Sequence, residues 1–496
     1  MSSARPQLLR NATLTAAQVV VTAVSMFVVY RYLLDRLGAA RLGTWSIVMA
    51  ASSVARITDL GFAGGLTRYV ARYRSESDDE AVSEVVGTGV TSLMLATAFL
   101  LALAYPLLQH FIPRLIPSGA SDALLLLPFS VASLGLLTVA GGYLSSIDGL
   151  LRTDLRNLIM MGSTLLYLVL VIGFVAQWGF VGLGWAQLCQ SLTVLVAAIV
   201  VLRRQLPAGG LRLRWRLARF REMIGYNAHL QLGTLASLLG DPAAKMMLGR
   251  FGDLATVGYF EMATKLVSQF RSVVVNVNQV LVPVIAQFKA GQQDAVRALY
   301  ERTHGLILFV SCAFFATLLA AVPLVSTVWL GTYQPTFILV CLVMLPTMAL
   351  NTLAGAAFFS NLGTGDASSN SAVQTGMGLA NLGLGCTLGY ALGGTGVILG
   401  HAVAITGGSL YLMLSFRRQH GLSLGTVLPP GQRAHVAITW LTAIACLAAR
   451  PLLDGAAPHL WSVALVAALC LIMGVTLRHP IARAGWTHLR SRRGQR

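Results

Sequence analysis

The sequence predicts an all-α membrane protein, a polytopic helix bundle with about fourteen transmembrane helices. Two observations support this class. Of the 496 residues, 56% are hydrophobic and only 11% are charged. The apolar runs are also continuous and about 20 residues or longer, as expected for membrane-spanning helices, and lack the alternation of a membrane barrel.

The predicted spans fall into groups of six, six and two. In chain order they lie at about 12–34, 41–60, 84–110, 122–147, 155–177, 180–202, 223–241, 254–285, 300–330, 335–361, 368–392, 395–416, 435–453 and 459–477. A basic stretch at 203–221, which contains Pro207, follows the first six, and a break at 421–430 precedes the last two. The sequence therefore predicts two six-helix lobes, 1–205 and 206–420, and two additional helices with a basic tail, 421–496.

The formal net charge of +18 follows the predicted topology. With a cytoplasmic N-terminus, about 26 arginines and lysines lie on the inner side and about 7 on the outer side, which is the positive-inside pattern. Both termini are then cytoplasmic. The surplus of basic residues favours contact with anionic membrane lipids, and we expect no nucleic-acid partner.

Sequence motifs for catalysis or cofactor binding are missing. The six cysteines are scattered through the spans without metal-ligand spacing. No HExxH motif, Walker motif or nucleophile elbow occurs. We therefore expect a protein that is not an enzyme and that uses no cofactor or metal.

The eighth predicted span has one polar and one apolar face. At 100° per residue, Glu261, Lys265 and Asn276 share the polar half, and Arg271 lies at its edge. Hydrocarbon cannot hydrate such a face, so it must line a cavity or a partner helix. In the alternative reading, Glu261 and Lys265 only neutralise each other at a helix end.

Other spans carry milder polar faces. They are also explained by hydrogen bonds that pack helices together. The residues concerned are Gln18 and Arg36 in span 1, Arg56 and Asp59 in span 2, Asn227, Gln231 and Asp241 in span 7, and Gln374 in span 11. Arg31 lies on the far side of span 1 from Arg36 and is expected to reach the membrane interface.

A short self-similarity links the two predicted lobes. The glycine pattern around Gly43 recurs around Gly258, and each glycine is followed 13 residues later by an arginine, Arg56 or Arg271. The match is short enough to be coincidental, but it fits a duplicated transporter architecture.

Two stretches carry a resemblance to a known family. Ile57-Thr58-Asp59-Leu60-Gly61-Phe62 and Leu66-Thr67-Arg68-Tyr69-Val70-Ala71 resemble the signature of bacterial polysaccharide-transport flippases. Those flippases are a branch of the multidrug/oligosaccharidyl-lipid/polysaccharide superfamily. Gly258-Tyr259 at the start of span 8 and the number of spans also match.

The resemblance implies two lobes that face each other in a V and open alternately to each side of the inner membrane. It implies a sugar substrate on a polyprenyl diphosphate, as in lipopolysaccharide assembly, with polymerases and glycosyltransferases as possible partners. Arginines would hold the diphosphate, for which Arg36, Arg56, Arg271 and Lys265 are the candidates. The candidates for the sugars are Gln18, Asn227, Gln231, Asn276 and Gln374.

Two other functions remain open. A cation-coupled multidrug exporter of the same superfamily is expected to have carboxylates and aromatic side chains in its cavity. The polar faces here instead carry mainly arginine and lysine among their charged residues, which disfavours this function. A membrane glycosyltransferase or a scaffold is less favoured, because the acidic cluster Glu76–Glu80 lies in a short loop. For ion coupling, the candidate carboxylates are Asp59, Asp241 and Glu261, unless each only balances a neighbouring cation.

The predicted topology is testable with reporter fusions. A reporter placed after Arg496 and another inserted within 203–221 should both report the cytoplasm, because the arginine excess lies on that side. A periplasmic signal from either position would contradict the assignment.

Overall fold

A computed structural model describes residues 4–53, 62–206, 215–223, 238–278, 285, 293–456 and 458–483. Over these ranges the chain is helical and contains no strand. The helices are α1 (Ala4–Ser52), α2 (Phe62–Ser75), α3 (Asp79–Leu115), α4 (Ala120–Gly149), α5 (Thr153–Gln205), α6 (Asp241–Phe251), α7 (Leu254–Asn278), α8 (Gln293–Leu330), α9 (Pro335–Thr364), α10 (Ala367–Gln419), α11 (Pro430–Ala456) and α12 (Pro458–Arg478). Nine helices within the described ranges are long and apolar enough to cross a membrane. The predicted all-α membrane bundle is confirmed.

Three of these helices contain two predicted spans each. Helices α1, α5 and α10 continue across the expected loops, interrupted only at Gly38, Gly179 and Gly393. Each of these glycines has a positive φ, of 81°, 55° and 63°, which a residue with a side chain rarely adopts. The 53 residues of α5 would extend about 80 Å as one helix, against a hydrocarbon core of about 30 Å, so each half forms one span. The separate loops expected between these spans are therefore reduced to single glycines.

Helices α5 and α10 repeat the same design. Both have 53 residues, and in both the non-helical glycine lies 26 residues after the first residue, at Gly179 after Thr153 and at Gly393 after Ala367. Equal lengths and equal break positions in two distant helices are the expected result of a duplication. They support the internal repeat that the sequence indicates.

Helix α2 was not expected from the sequence, which suggested a loop between spans 2 and 3. Its side chains divide into two faces. Leu66, Val70 and Tyr73 are buried, whereas Arg72 and Arg74 near its end are exposed. Arginines and glycines interrupt its apolar residues, so an apolar-run criterion does not detect it.

The chain forms two compact units. Unit 1 comprises Met1–Glu261 and Gly389–Val397, and unit 2 comprises Met262–Leu388 and Ile398–Arg496. The core of unit 1 joins residues of α2, α3, α4 and α5, among them Val70, Val86 and Ile147. The core of unit 2 joins α7, α8, α9 and α10. The predicted lobes 1–205, 206–420 and 421–496 stay a prediction.

Within unit 1, the two glycines of the sequence repeat meet at a helix crossing. A Cβ atom on Gly43 would overlap the carbonyl oxygen of Leu254, and one on Gly258 would overlap the carbonyl oxygen of Ala39. The contact is reciprocal, because each glycine approaches a carbonyl four residues before the other. Small residues at such crossings allow backbones in membrane proteins to pack closely.

This crossing predicts a strong effect of one added methyl group. Gly43→Ala should lower the free energy of unfolding of the purified protein by at least about 1–3 kcal/mol. The added methyl group would meet the backbone carbonyl of Leu254, which cannot rotate away as a side chain can. A melting curve in detergent measures the loss. Gly141→Ala in α4 is the control, since nothing lies within 4 Å of its added Cβ. Equal melting temperatures for the two variants would contradict the close crossing.

Candidate functional site

Unit 1 contains a buried ionic cluster centred on Glu261. One carboxylate oxygen accepts a hydrogen bond from the Tyr30 hydroxyl at 2.7 Å, and the other accepts one from the Ser46 hydroxyl at 2.7 Å. The Lys245 ammonium forms a salt bridge with the second oxygen. The side chains of Lys245 and Glu261 are only 14% and 5% exposed.

Four helical segments contribute to this cluster. Tyr30 and Ser46 come from α1, on opposite sides of its break at Gly38, while Lys245 comes from α6 and Glu261 from α7. A buried carboxylate is tolerated when it is paired and its remaining lone pairs accept hydrogen bonds, and both conditions are met here. The cluster therefore fixes how these segments pack.

The pairing of Lys245 with Glu261 is a feature that sequence reasoning missed. From the sequence, the counter-ion considered for Glu261 is Lys265, four residues further along the same helix. Lys265 is exposed, whereas Glu261 is 4% exposed and faces α6. A cation near the start of the preceding helix gives no periodic signal that connects it to Glu261.

Unit 2 contains a polar cavity of about 210 Å³. Arg271 from α7 and Gln374 from α10, two predicted site residues, both line it. Asn351 from α9 and Asn370 from α10 add two further amides. Phe358 and Phe359 complete the wall together with apolar residues. The cavity thus combines one guanidinium with three amides.

Hydrogen bonds hold part of this lining in place. The Asn370 amide nitrogen donates to the Phe358 carbonyl oxygen at 2.8 Å, and its oxygen accepts from Asn361 at 3.1 Å. The Asn351 nitrogen donates to the Ser409 hydroxyl at 3.0 Å. Packing by amide hydrogen bonds, the alternative explanation of the polar faces, therefore applies to Asn370. It leaves the amide of Gln374 as the predicted sugar contact.

The basic connection between the predicted lobes is attached to unit 1 at residues 215–223. Glu222 accepts a hydrogen bond from the Tyr73 hydroxyl at 2.9 Å and forms an ion pair with Arg219 at 3.3 Å. Arg216 and Arg219 pair with Glu84 at 2.8 and 3.3 Å. Burial, followed by the hydrogen bond to Glu222, raises the pKa of the Tyr73 phenol above its ordinary value, so Tyr73 remains a donor at neutral pH.

The other predicted site residues are dispersed. On α1, Gln18 is half-buried and Arg36 is exposed, with its guanidinium 5.8 Å from the Tyr32 ring centroid. Arg31 pairs with Asp35 at 2.8 Å. Asp241 is exposed in the first turn of α6. Arg56, Asp59, Asn227, Gln231 and the side chain of Asn276 lie outside the described part of the chain.

Comparison with known families identifies the chain. A family described as "Polysaccharide biosynthesis protein" matches residues 8–289, more than half of the sequence. The chain belongs to this family, and the predicted polysaccharide-transport branch of the superfamily is confirmed. No functionally curated protein matches the chain.

Solved structures show the same fold. The lipid II flippase MurJ in an inward closed conformation superposes with a TM-score of 0.70 at 12% identity, covering 95% of this chain and 99% of that one. An inward-facing MATE family multidrug resistance transporter gives 0.67 at 14% identity, covering 81% and 94%. A transporter of the same superfamily from Pyrococcus furiosus gives 0.58 at 14% identity, covering 84% and 94%. The chain therefore shares the fold of these three proteins.

The ionic cluster predicts a double-mutant signature. Lys245→Met should lower the free energy of unfolding by about 3–5 kcal/mol, because it leaves the Glu261 charge buried without its cation. The double variant Lys245→Met/Glu261→Gln should recover most of this loss, since no charge then remains. Thermal unfolding in detergent measures both.

The exposed pair on α1 supplies the control for this series. Arg31→Met removes one partner of an ion pair whose side chains are 37% and 49% exposed, and should cost no more than about 1 kcal/mol. If Lys245→Met were as mild as Arg31→Met, the cluster would contribute little to the packing of unit 1.

Proposed function

We propose that this protein is a flippase that moves a polyprenyl-diphosphate-linked oligosaccharide from the inner to the outer leaflet of the cytoplasmic membrane by alternating access. Its membership of a polysaccharide biosynthesis family supports a sugar-containing substrate. The observation that carries the proposal is the cavity of unit 2, which Arg271 and Gln374 both line.

The chemistry of this cavity fits such a head group. A diphosphate is an anion, and a guanidinium binds phosphate oxygens through two parallel hydrogen bonds. In a low-dielectric surrounding this attraction is stronger than in water. Sugar hydroxyls both donate and accept hydrogen bonds, which an amide side chain such as Gln374 matches from either end. Arg271 is therefore assigned to the phosphate and Gln374 to the sugar.

A cation-coupled multidrug exporter is the alternative function. A structural match to a MATE family multidrug resistance transporter supports it at the level of the fold. The guanidinium of Arg271 in the cavity argues for the flippase, because it repels a cationic drug and attracts an anionic head group. We therefore favour the lipid-linked sugar.

The proposed setting follows from this substrate. The protein acts in the inner membrane with both termini in the cytoplasm, among glycosyltransferases that complete the sugar and a polymerase that uses it after transfer. Arg36, Arg56 and Lys265 remain candidates for further phosphate contacts, and Asn227, Gln231, Asn276 and Gln18 for further sugar contacts. Asp59, Asp241 and Glu261 remain the candidates for ion coupling.

Substitution of Arg271 tests the proposal. Arg271→Ala should reach the membrane at normal levels but export the polysaccharide poorly. A hydrogen bond to a charged group contributes about 1.5–3 kcal/mol, which corresponds to about one to two decades of affinity. Arg271→Lys should restore export in part, because it retains the charge but not the two-pronged geometry. Surface polysaccharide and the accumulated lipid-linked precursor are the two measurements.

The matched control is Arg31→Ala, which removes an arginine paired with Asp35 on α1 and should leave export nearly unchanged. Normal export by Arg271→Ala at normal expression would contradict the assignment of this cavity. Resistance to cationic drugs that depends on Arg271, without an effect on the polysaccharide, would favour the exporter.

A further inference from the structure

An apolar groove runs along α10 between its two halves. It has a volume of about 670 Å³, within the range of about 300–1,000 Å³ that is typical of sites for small ligands. Its walls come from residues before and after the break at Gly393, including Ala380, Leu384, Val403 and Tyr411. All of these residues belong to unit 2.

The groove adjoins the polar cavity. Val373, Met377 and Leu412 line both spaces, so the two share a wall of three apolar side chains. On one side of this wall lies the Arg271 guanidinium, and on the other lies a surface formed mainly by small and aliphatic residues. An anion and an apolar chain joined to each other would find complementary surroundings on the two sides.

The shape of the groove suits an extended chain. Its lining begins at Ser369, near the start of α10, and reaches Leu384, a distance of about 22 Å at about 1.5 Å of rise per residue. This exceeds half of a hydrocarbon core of about 30 Å, so the groove can hold an apolar chain across one leaflet. Val403 and Tyr411 are 55% and 64% exposed, so the groove is accessible from the surface of unit 2.

Glycines keep the groove open. A Cβ added to Gly376 or to Gly407 would meet no atom within 4 Å, so each glycine leaves empty space where another residue would place a side chain. Gly408 differs, because its added Cβ would overlap the Met377 side chain. Glycine lowers helix stability by about 1 kcal/mol relative to alanine, and no close contact requires Gly376 or Gly407. The absence of a side chain at these two positions therefore leaves the groove open.

We infer that this groove binds the polyprenyl chain of the transported lipid while its diphosphate lies against Arg271. The inference rests on the proposed flippase function and adds a second subsite to it. The occupant is assigned from charge complementarity. The cavity that contains Arg271 adjoins the apolar groove, and a polyprenyl diphosphate joins an anion directly to a long apolar chain. The chain gains the burial of its apolar surface, and the head group gains the guanidinium.

Filling the groove tests the inference. The full-length protein is placed in lipid nanodiscs, and binding is measured for a long-chain polyprenyl diphosphate and for geranyl diphosphate, which has the same head group and a short tail. Gly376→Leu/Gly407→Leu should weaken binding of the long-chain lipid on the order of tenfold and bring it close to that of geranyl diphosphate. Binding of geranyl diphosphate itself should change little. Gly383→Leu is the control, because its added Cβ also meets nothing within 4 Å but the residue does not line the groove.

The outcomes separate the tail site from the proposed function. Unchanged long-chain binding by Gly376→Leu/Gly407→Leu overturns the groove assignment, whether or not Arg271→Ala weakens both diphosphates. If the wild-type protein binds neither diphosphate, the proposed function fails. To exclude a misfolded variant, a photoreactive phenylalanine analogue replaces Tyr411 in an otherwise unchanged protein. It should crosslink to the long-chain polyprenyl diphosphate, and crosslinking only to phosphatidylglycerol of the nanodisc would overturn the inference.

Discussion

Hydrocarbon provides no hydrogen-bond partner, and this constraint governs every polar group within the spans. A carboxylate placed there must find its cation and its donors inside the protein. Glu261 does so through Lys245 of α6 and through Tyr30 and Ser46 of α1, all within unit 1. Because loss of one partner exposes an uncompensated charge to a low dielectric, the packing of α1, α6 and α7 depends on this cluster.

The same constraint shapes unit 2 through hydrogen bonds between side chains. Asn361 and Asn370 pair with each other, and the His401 ring nitrogen lies 3.0 Å from the Asn381 amide oxygen. These pairs join α9 to α10 and the first half of α10 to its second half. These contacts also occupy amides, such as that of Asn370, that helical periodicity alone would assign to a cavity. In the cavity lined by Arg271, Gln374 is the predicted site residue that contributes an amide.

A lipid-linked sugar poses two binding problems, since its head is ionic and hydroxylated while its tail is a long hydrocarbon. Under the proposed function, the adjoining cavity and groove of unit 2 would divide these problems between two surfaces that share Val373, Met377 and Leu412. A carrier that holds both parts keeps the amphipathic molecule oriented as it crosses. The apolar chain then need not leave a hydrophobic surrounding, and only the head group requires polar partners.

Local sequence patterns were sufficient for the class of the protein. Bilayer thickness imposes runs of about 20 apolar residues, so the spans, the arginine asymmetry and the polar face that holds Arg271 can be read from neighbouring residues. The repeated glycines Gly43 and Gly258 were visible in the same way. Their reciprocal contact was not, because no local pattern shows which helices cross.

The contacts between distant residues appear only in the three-dimensional structure. In the structure, Lys245 pairs with Glu261, α10 continues through Gly393, and a groove lies beside Gly376 and Gly407. Each of these features depends on which helix face meets which, and contacts between residues far apart in the chain determine this. The periodicity of a helix identifies a polar or small face, but it does not distinguish a face that packs from one that lines a space.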